Sequence, residues 1–267
     1  MISVVIRNKN EAVSLEKVLI ALTKVYGADI DEIVLVDNNS TDQSMTVAQK
    51  FNCNIVTIEN FTYGKALNLG IETAKNQYVL LLSSHAMPIG SSFFTSAIND
   101  FKNDEKLAGL RFINSFQNYE RALKNDFKIY DGLSFGLMNA CAMINKKVWQ
   151  ECKFDESLVA SEDKEWSKKV LQLGYNLKDC AETYFYFINR NKNGSLKRWE
   201  IETIAHHQLH NLKYPSIIKL LAVFIKKIIW NLPLGYFKTV IFEIKKLLIN
   251  IKINRLLLKH KNNFHER

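Results

Sequence analysis

Short apolar runs alternate with longer amphipathic stretches over the first hundred residues. Ile2–Arg7, Glu32–Asp37, Asn54–Ile58 and Tyr78–Leu82 are rich in Val, Ile and Leu, and predict strands. Between them, Ser14–Tyr26, Gln43–Phe51, Lys65–Ala74 and Ser91–Phe101 predict helices. In the first of these, Leu15, Val18, Leu19 and Leu22 recur at helical spacing and give one apolar face to pack on a sheet. Strand and helix alternating in this way is the mark of βαβ units, so the chain is expected to be α/β with a mostly parallel sheet. Beyond residue 104 the pattern loosens. Leu107–Ile113 and Phe135–Ile144 read as strands, and Glu162–Leu173 as a helix that Gly174 ends. The three prolines, Pro88, Pro215 and Pro233, each fall near an expected junction.

Three of these elements end in polar residues suited to chemistry. The second strand delivers Asp37 to its C-terminal end, where open α/β sheets place their ligands. Ser40, Thr41 and Asp42 follow with turn and N-cap chemistry, so the Asp37 carboxylate is expected to be fixed. Such a group suits ribose hydroxyls or base N–H groups, and equally a turn-stabilising role. The fourth strand ends in Ser83-Ser84-His85, with Pro88 expected to stop it. His85 there reads as a metal ligand, a donor to phosphate, or a structural histidine. Ser161 reads as the N-cap of a helix whose first turn holds Glu162 and Asp163. The helix dipole favours acids at that place, and so does the need for a general base beside a hydroxyl nucleophile.

Composition narrows the picture. At 267 residues, with 47% apolar and 24% charged residues, the chain is long enough for a large core and is not disordered in bulk. Cys53, Cys141, Cys152 and Cys180 form no C-x-x-C pair, so reduced thiols are expected. Met1 leads directly into the first strand, which predicts no secretory leader in this stretch. The net charge of +9 is unevenly placed: from Asn211 onward there are twelve Lys/Arg against two Asp/Glu, leaving a balance of −1 before it. A dinucleotide-dependent oxidoreductase is disfavoured because no G-x-G-x-x-G follows the first strand.

Six segments in register resemble the family 2 glycosyltransferases of the GT-A fold. They are Val4–Glu11, Val36–Asp42, Phe61–Gly70, Ser83–Pro88, Asn139–Ala142, and Phe154–Glu156 with Glu162–Trp166. The resemblance spans about residues 1–205. It implies a GT-A domain over 1–210, Rossmann-like with flanking helices. Its nucleotide-sugar half would cover about 1–103 and its acceptor half about 104–210, with a basic helical extension over 211–267. It also implies an inverting enzyme: an acceptor hydroxyl, activated by a carboxylate, displaces a nucleoside diphosphate from the anomeric carbon. By that resemblance Glu11 and Asp37 contact the nucleoside and Arg7 and Asn8 lie along the base. Asn39, Lys65, Asn68 and Ser84 belong to the same donor site. Asp163 is the base, with Glu162 its neighbour.

The chain departs from the family pattern where that family holds a divalent metal, manganese or magnesium. Ser83-Ser84-His85 stands in place of Asp-x-Asp, so His85 replaces the second acid. A Tyr-His-x-His stretch found in many relatives reads Tyr184-Phe185-Tyr186-Phe187 here. Arg190 and Arg198, with Lys192 and Lys197, are candidates to hold the diphosphate directly, or a solvated basic loop. His206, His207 and His210 form a cluster in which 206 and 210, four apart, have a metal-compatible spacing, without the H-E-x-x-H pattern.

The tail is apolar and lysine-rich, with Lys238, Lys245, Lys252 and Lys259 seven residues apart. No apolar run approaches the roughly 20 residues of a spanning helix. Lysines reaching anionic headgroups while Ile, Leu, Phe and Trp enter the acyl boundary would fit, as would a hairpin or a dimer contact. Nucleic acid is not expected as a partner. The expected partners are a nucleoside-diphosphate sugar, a glycan or lipid-linked acceptor, and the membrane surface, with the protein peripheral on the cytoplasmic face of the cell membrane. The product class would be capsule, O-antigen or another bacterial surface polysaccharide. The alternative is a non-catalytic relative that binds a nucleotide sugar or glycan as a membrane-bound assembly partner.

Overall fold

The computed structural model describes residues 1–188 and 192–265, without the side chains of 243 and of residues beyond 251. The chain divides into two compact units, Met1–Leu212 and Lys213–Arg267. The first unit runs β1 (Ile2–Asn8), α1 (Ala12–Val25), β2 (Ile30–Asp37), α2 (Ser44–Lys50), β3 (Asn54–Thr57), α3 (Tyr63–Thr73), β4 (Tyr78–Ser83) and β5 (Ala86–Ile89). It continues through α4 (Phe93–Asn103), β6 (Leu107–Ile113), α5 (Phe116–Lys124), α6 (Gly132–Phe135), β7 (Cys141–Asn145), α7 (Lys146–Glu151), α8 (Glu162–Gln172), β8 (Asn176–Tyr186) and α9 (Lys192–Leu209).

The strands form one eight-stranded sheet in the order β3-β2-β1-β4-β7-β6-β8-β5. β1 pairs in parallel with β2 and β4, β2 with β3, and β6 with β8. β7 runs antiparallel to both β4 and β6, and β5 antiparallel to β8. Helices cover both faces, which is why the central strands are continuous apolar runs rather than alternating ones. Along β1, Val4 and Ile6 join the core layer of α1 and α4, while Val5 joins that of α3, α7 and α8. Leu80 and Leu82 of β4 divide from Val79 and Leu81 in the same way. Gly70 of α3 lies against Val5 and Val36, where a Cβ would collide, and so lets this helix approach the sheet closely.

Several local readings are corrected. Phe135–Ile144 is not one strand. The Asp131 carboxylate accepts from the Leu133 and Ser134 N–H groups and starts the short helix α6, so only Cys141–Asn145 enters the sheet. Pro88 does not end sheet pairing. It sits inside β5 at the sheet's edge, where a missing N–H costs no ladder bond. α3 begins earlier than expected, because Thr62 accepts from the Lys65 N–H. Asp42 serves two helices: Oδ1 accepts from Ser44 N at 3.0 Å and Oδ2 from Ala12 N at 2.9 Å.

In the second unit, α10 (Ile217–Lys226) passes through a π-helical turn, Lys227–Asn231, into α11 (Leu232–His265). Pro233 therefore lies within helix, in the first turn of α11. Ile218, Phe224, Ile229, Trp230, Phe237 and Leu248 are among many large apolar side chains exposed along it. No described helix is long and apolar enough to cross a membrane. Of the expected lysine stripe, the side chains of Lys252 and Lys259 lie outside those described.

Candidate active site

The strand order reverses between β1 and β4, and this is where open α/β sheets leave a crevice at the strands' carboxyl ends. A cavity of about 750 Å³ opens there, large enough for a nucleotide sugar or a comparable ligand. Arg7 and Asn8 at the end of β1, Ser83 at the end of β4, and Ser84 and His85 just after it, line it together with Glu11. Across the cavity stand Ser161 and the first residues of α8, Glu162, Asp163 and Lys164, with Arg198, Glu202 and His206 from α9 and His210 just past its end.

At one end, Asp37 is buried and fully engaged. Asn8 Nδ2 donates to its Oδ1 at 3.0 Å, Ser40 Oγ donates to Oδ1 at 2.6 Å, and Ser40 N donates to Oδ2 at 2.8 Å. The expected immobilisation of this carboxylate holds, but the cavity wall here is Asn38 rather than Asp37. Asp37 therefore orients Asn8. Asn8 lines the cavity, and its buried Oδ1 atom has no partner among the described residues. Asn39 sits beside it in the left-handed region, φ 49°, with its amide toward Ile58 O at 3.5 Å.

The acid pair opens α8. Ser161 does not cap the helix with its side chain, against expectation: it adopts φ 64°, and its carbonyl accepts from the Lys164 and Glu165 N–H groups instead. A serine held in this sparsely populated region beside a cavity is strain of the kind that collects at functional sites. Asp163 is held at both oxygens, by Asn139 N at 3.1 Å and by its neighbour Lys164 N at 2.8 Å. Glu162 is buried, with Asn139 Nδ2 at 3.3 Å and Arg7 Nη1 at 4.0 Å. Burial and the adjacent Asp163 charge raise its pKa from 4.5 to about 7, against the pull of Arg7. Lys164 donates to Gly136 O at 2.7 Å, and burial lowers its pKa to about 8. Paired acids with one pKa raised toward neutrality are the electrostatics of a proton-transfer site.

Aromatic rings connect the two walls. Tyr63 stands between the guanidinium groups of Arg7, 5.2 Å from its ring centre, and Arg198, 6.0 Å away. Tyr186 places its hydroxyl 3.2 Å from His85 Nε2, and His85 Nδ1 lies 4.0 Å from Glu11 Oε1. Of the residues expected at the site, Arg7, Asn8, Glu11, Ser84, His85, Glu162, Asp163 and Arg198 line this one cavity. Arg190 lies outside the described residues. Lys65 is turned away, its Nζ donating to Glu59 O at 3.0 Å.

Asn68 is corrected to a structural role. Its Oδ1 accepts from Trp149 Nε1 at 2.9 Å and Phe154 N at 3.1 Å, and its Nδ2 donates to Phe154 O and Glu156 Oε1, each at 2.9 Å. All four positions of the amide are taken by the segment that leads to α8. Tyr63, Asn139, Lys164 and Tyr186 were not singled out from the sequence. Asn139 and Tyr63 fall inside recognisable motifs, and Tyr186 occupies the stretch noted for lacking histidine. Lys164 carries no local signal beyond its place next to the acids.

The residues present do not fit a divalent metal of the family's kind. Where an Asp-x-Asp would supply hard carboxylate oxygens, this chain offers the Ser83 and Ser84 hydroxyls and the His85 imidazole. Glu11 is the acid nearest His85, while Glu162 faces Arg7. No group of three His, Cys, Asp or Glu side chains among the described residues converges on a common point. The rings of His206 and His210 lie 4.5 Å apart between centres and tilted by 45°, with no third ligand among the described residues.

An α/β fold with its cavity at the switch point, bounded by an acid pair, defines a ligand-binding domain of the GT-A kind. The profile of glycosyl transferase family 2 matches residues 3–152, more than half of the chain, and the protein belongs to that family. No curated protein matches it. Among solved structures, it is similar to a mannosyltransferase from Pyrobaculum calidifontis in complex with GDP-Man and Mn2+ (15% identity, TM-score 0.60). That likeness covers 80% of this chain and 65% of the other, so the chain spans just under two thirds of that protein's length. Glucosyl-3-phosphoglycerate synthase from Mycobacterium tuberculosis, with Mn2+, UDP and glucosyl-3-phosphoglycerate, is similar at 17% identity and TM-score 0.60, covering 81% of each chain. Residues 1–349 of S. aureus TarS are similar at 16% identity and TM-score 0.56, covering 80% of this chain and 66% of that one. At these identities the likeness establishes the GT-A fold.

Proposed function

We propose that this protein is an inverting glycosyltransferase, moving a sugar from a nucleoside-diphosphate donor to a hydroxyl of a glycan or lipid-linked glycan. The supporting observation is the opening of Glu162 and Asp163 into the same cavity as the carboxyl ends of β1 and β4. The donor's nucleoside lies toward Asn8, Glu11 and Asn38, and its sugar toward the start of α8. Asp163 takes the proton from the acceptor O–H as that oxygen attacks the anomeric carbon. The bond from this carbon to the diphosphate oxygen breaks on the opposite face, its electron pair leaves with the nucleoside diphosphate, and the configuration inverts. The diphosphate departs without needing a proton, so one base suffices. Glu162, whose pKa burial raises to about 7, carries less than a full charge near neutral pH and so lowers the repulsion on Asp163 beside it.

The acceptor reading rests on the tail. Exposed Ile, Leu, Phe and Trp side chains interleaved with Lys219, Lys226, Lys227, Lys238, Lys245 and Lys246 suit an interfacial helix on an anionic membrane. A lipid-linked acceptor at the inner face of the cell membrane, in capsule, O-antigen or other surface polysaccharide synthesis, is the substrate such a helix would bring within reach. The replacement of the Asp-x-Asp pair favours a second reading, a non-catalytic binding relative, and turnover with any donor eliminates it.

The test is Asp163→Asn, assayed by transfer and by nucleotide binding. Loss of a general base is expected to slow transfer by about 10²–10⁴-fold, with nucleotide affinity within about threefold of the parent. Transfer within about tenfold of the parent would remove Asp163 as the base.

A further inference from the structure

We infer that this chain handles the donor's diphosphate with its own side chains, and that nucleoside-diphosphate binding does not require a divalent cation. The inference rests on the donor-site reading above. Its ground is the arrangement of Arg198, Tyr186, His85 and Tyr63 on the cavity wall. Between Ser83 and His85 the chain presents hydroxyls and an imidazole where hard-cation chemistry calls for carboxylates. Tyr186 holds its hydroxyl 3.2 Å from His85 Nε2. Arg198 lines the same cavity as Tyr186, His85 and Tyr63. Its guanidinium stands 6.0 Å from the Tyr63 ring centre. Arg198, His85, Tyr63 and Tyr186 thus line one cavity, and a guanidinium, an imidazole and phenols are all capable of donating hydrogen bonds to phosphate oxygens.

Arg198 suits this role. Its planar fork can engage two phosphate oxygens at once, which a lysine cannot do. It pairs with Glu202, one helical turn on, with Nε 2.5 Å from Oε1. A dianionic diphosphate is a stronger acceptor than one partly exposed carboxylate, so exchange of partners on binding is favourable. The negative charge that develops on the departing diphosphate is then stabilised by fixed donors, the part a metal plays elsewhere.

The experiment is calorimetric titration of the full-length protein with UDP and GDP, in EDTA and again with manganese. The corresponding nucleosides are titrated in parallel, and the parent is compared with Arg198→Ala, Arg198→Lys and His85→Ala. The diphosphate that binds is expected to do so with dissociation constants within about threefold in the two media. Arg198→Ala should weaken it by about tenfold or more, Arg198→Lys should recover only part of that loss, and nucleoside affinity should not change. Binding at least tenfold weaker in EDTA and restored by manganese overturns the inference while leaving the donor site standing. Diphosphate affinity unchanged by both Arg198→Ala and His85→Ala overturns the assignment of the cradle. If neither diphosphate nor nucleoside binds in either medium, the donor-site reading falls, and this inference with it.

Discussion

Asn68 separates a structural from a substrate-binding role most sharply. Its amide makes four hydrogen bonds inside the protein, and the Trp149 indole N–H and the Phe154 backbone N–H that it satisfies belong to residues only 2% exposed. Asn68→Ala removes the acceptor from both. A buried donor left unpaired costs about 1–3 kcal/mol, so two of them give about 2–6 kcal/mol before any change in packing. Against a domain stability of roughly 5–15 kcal/mol, that is a large fraction. Urea unfolding followed by tryptophan fluorescence would read it as a fall in the transition midpoint, because Trp149 reports from the site itself. Nucleotide affinity, measured well below the variant's midpoint, should stay within about threefold of the parent, since no atom of the amide is left over for a ligand. A stability change under about 1 kcal/mol, together with a tenfold loss of nucleotide affinity, would refute this account and return Asn68 to the donor site.

Glu162→Gln tests the raised carboxyl. Its folded pKa, about 7, lies above the ordinary 4.5, so the folded state holds a proton that the unfolded state releases. The associated stability, of the order of 3 kcal/mol, is fully present below about pH 4.5 and is lost as the pH rises through 7. The glutamine variant should flatten that part of the stability profile, and a profile unchanged by the substitution would contradict the assignment. For the tail, the full-length protein should sediment with vesicles containing phosphatidylserine and not with phosphatidylcholine alone. Reversing Lys226 and Lys227 to Glu should weaken binding about thirtyfold or more, at about 1 kcal/mol for each lost basic charge. Equal binding to both vesicle types would refute an electrostatic membrane contact.

The first half of the sheet was legible because its strands are buried on both faces, so Val4–Ile6 and Leu80–Leu82 stand out as apolar runs between well-patterned helices. The acid pair was legible because a loop-to-helix boundary marks it. The stretch from Phe135 to Ile144 was not, because a short apolar run does not distinguish strand from turn by period. The deciding contact, Asp131 with two backbone N–H groups, is a matter of three-dimensional fit. β8 escaped notice because Lys178 and Asp179 interrupt it. Asp179 is buried beside Arg121 at 2.7 Å and Arg111 at 4.0 Å, partners drawn from β6 and α5 that no spacing in the sequence announces. Asn68 was recognisable as a motif residue, but a motif does not reveal whether its amide faces ligand or protein.

β4 and β5 are separated by only Ser84 and His85, yet β5 pairs with β8, from which His85 takes Tyr186 as a neighbour 101 residues later in the chain. A nascent chain emerging from the ribosome can therefore form the β3-β2-β1-β4 half early, from local crossovers, while the turn bearing His85 waits for residues 183–186. Contacts of such long sequence separation are slow to close. In a refolding experiment, amide-exchange protection of β1, β2 and β4 should appear before any capacity to hold a diphosphate. On that reasoning, the segment that would touch the leaving group should be among the last parts of the first unit to become ordered.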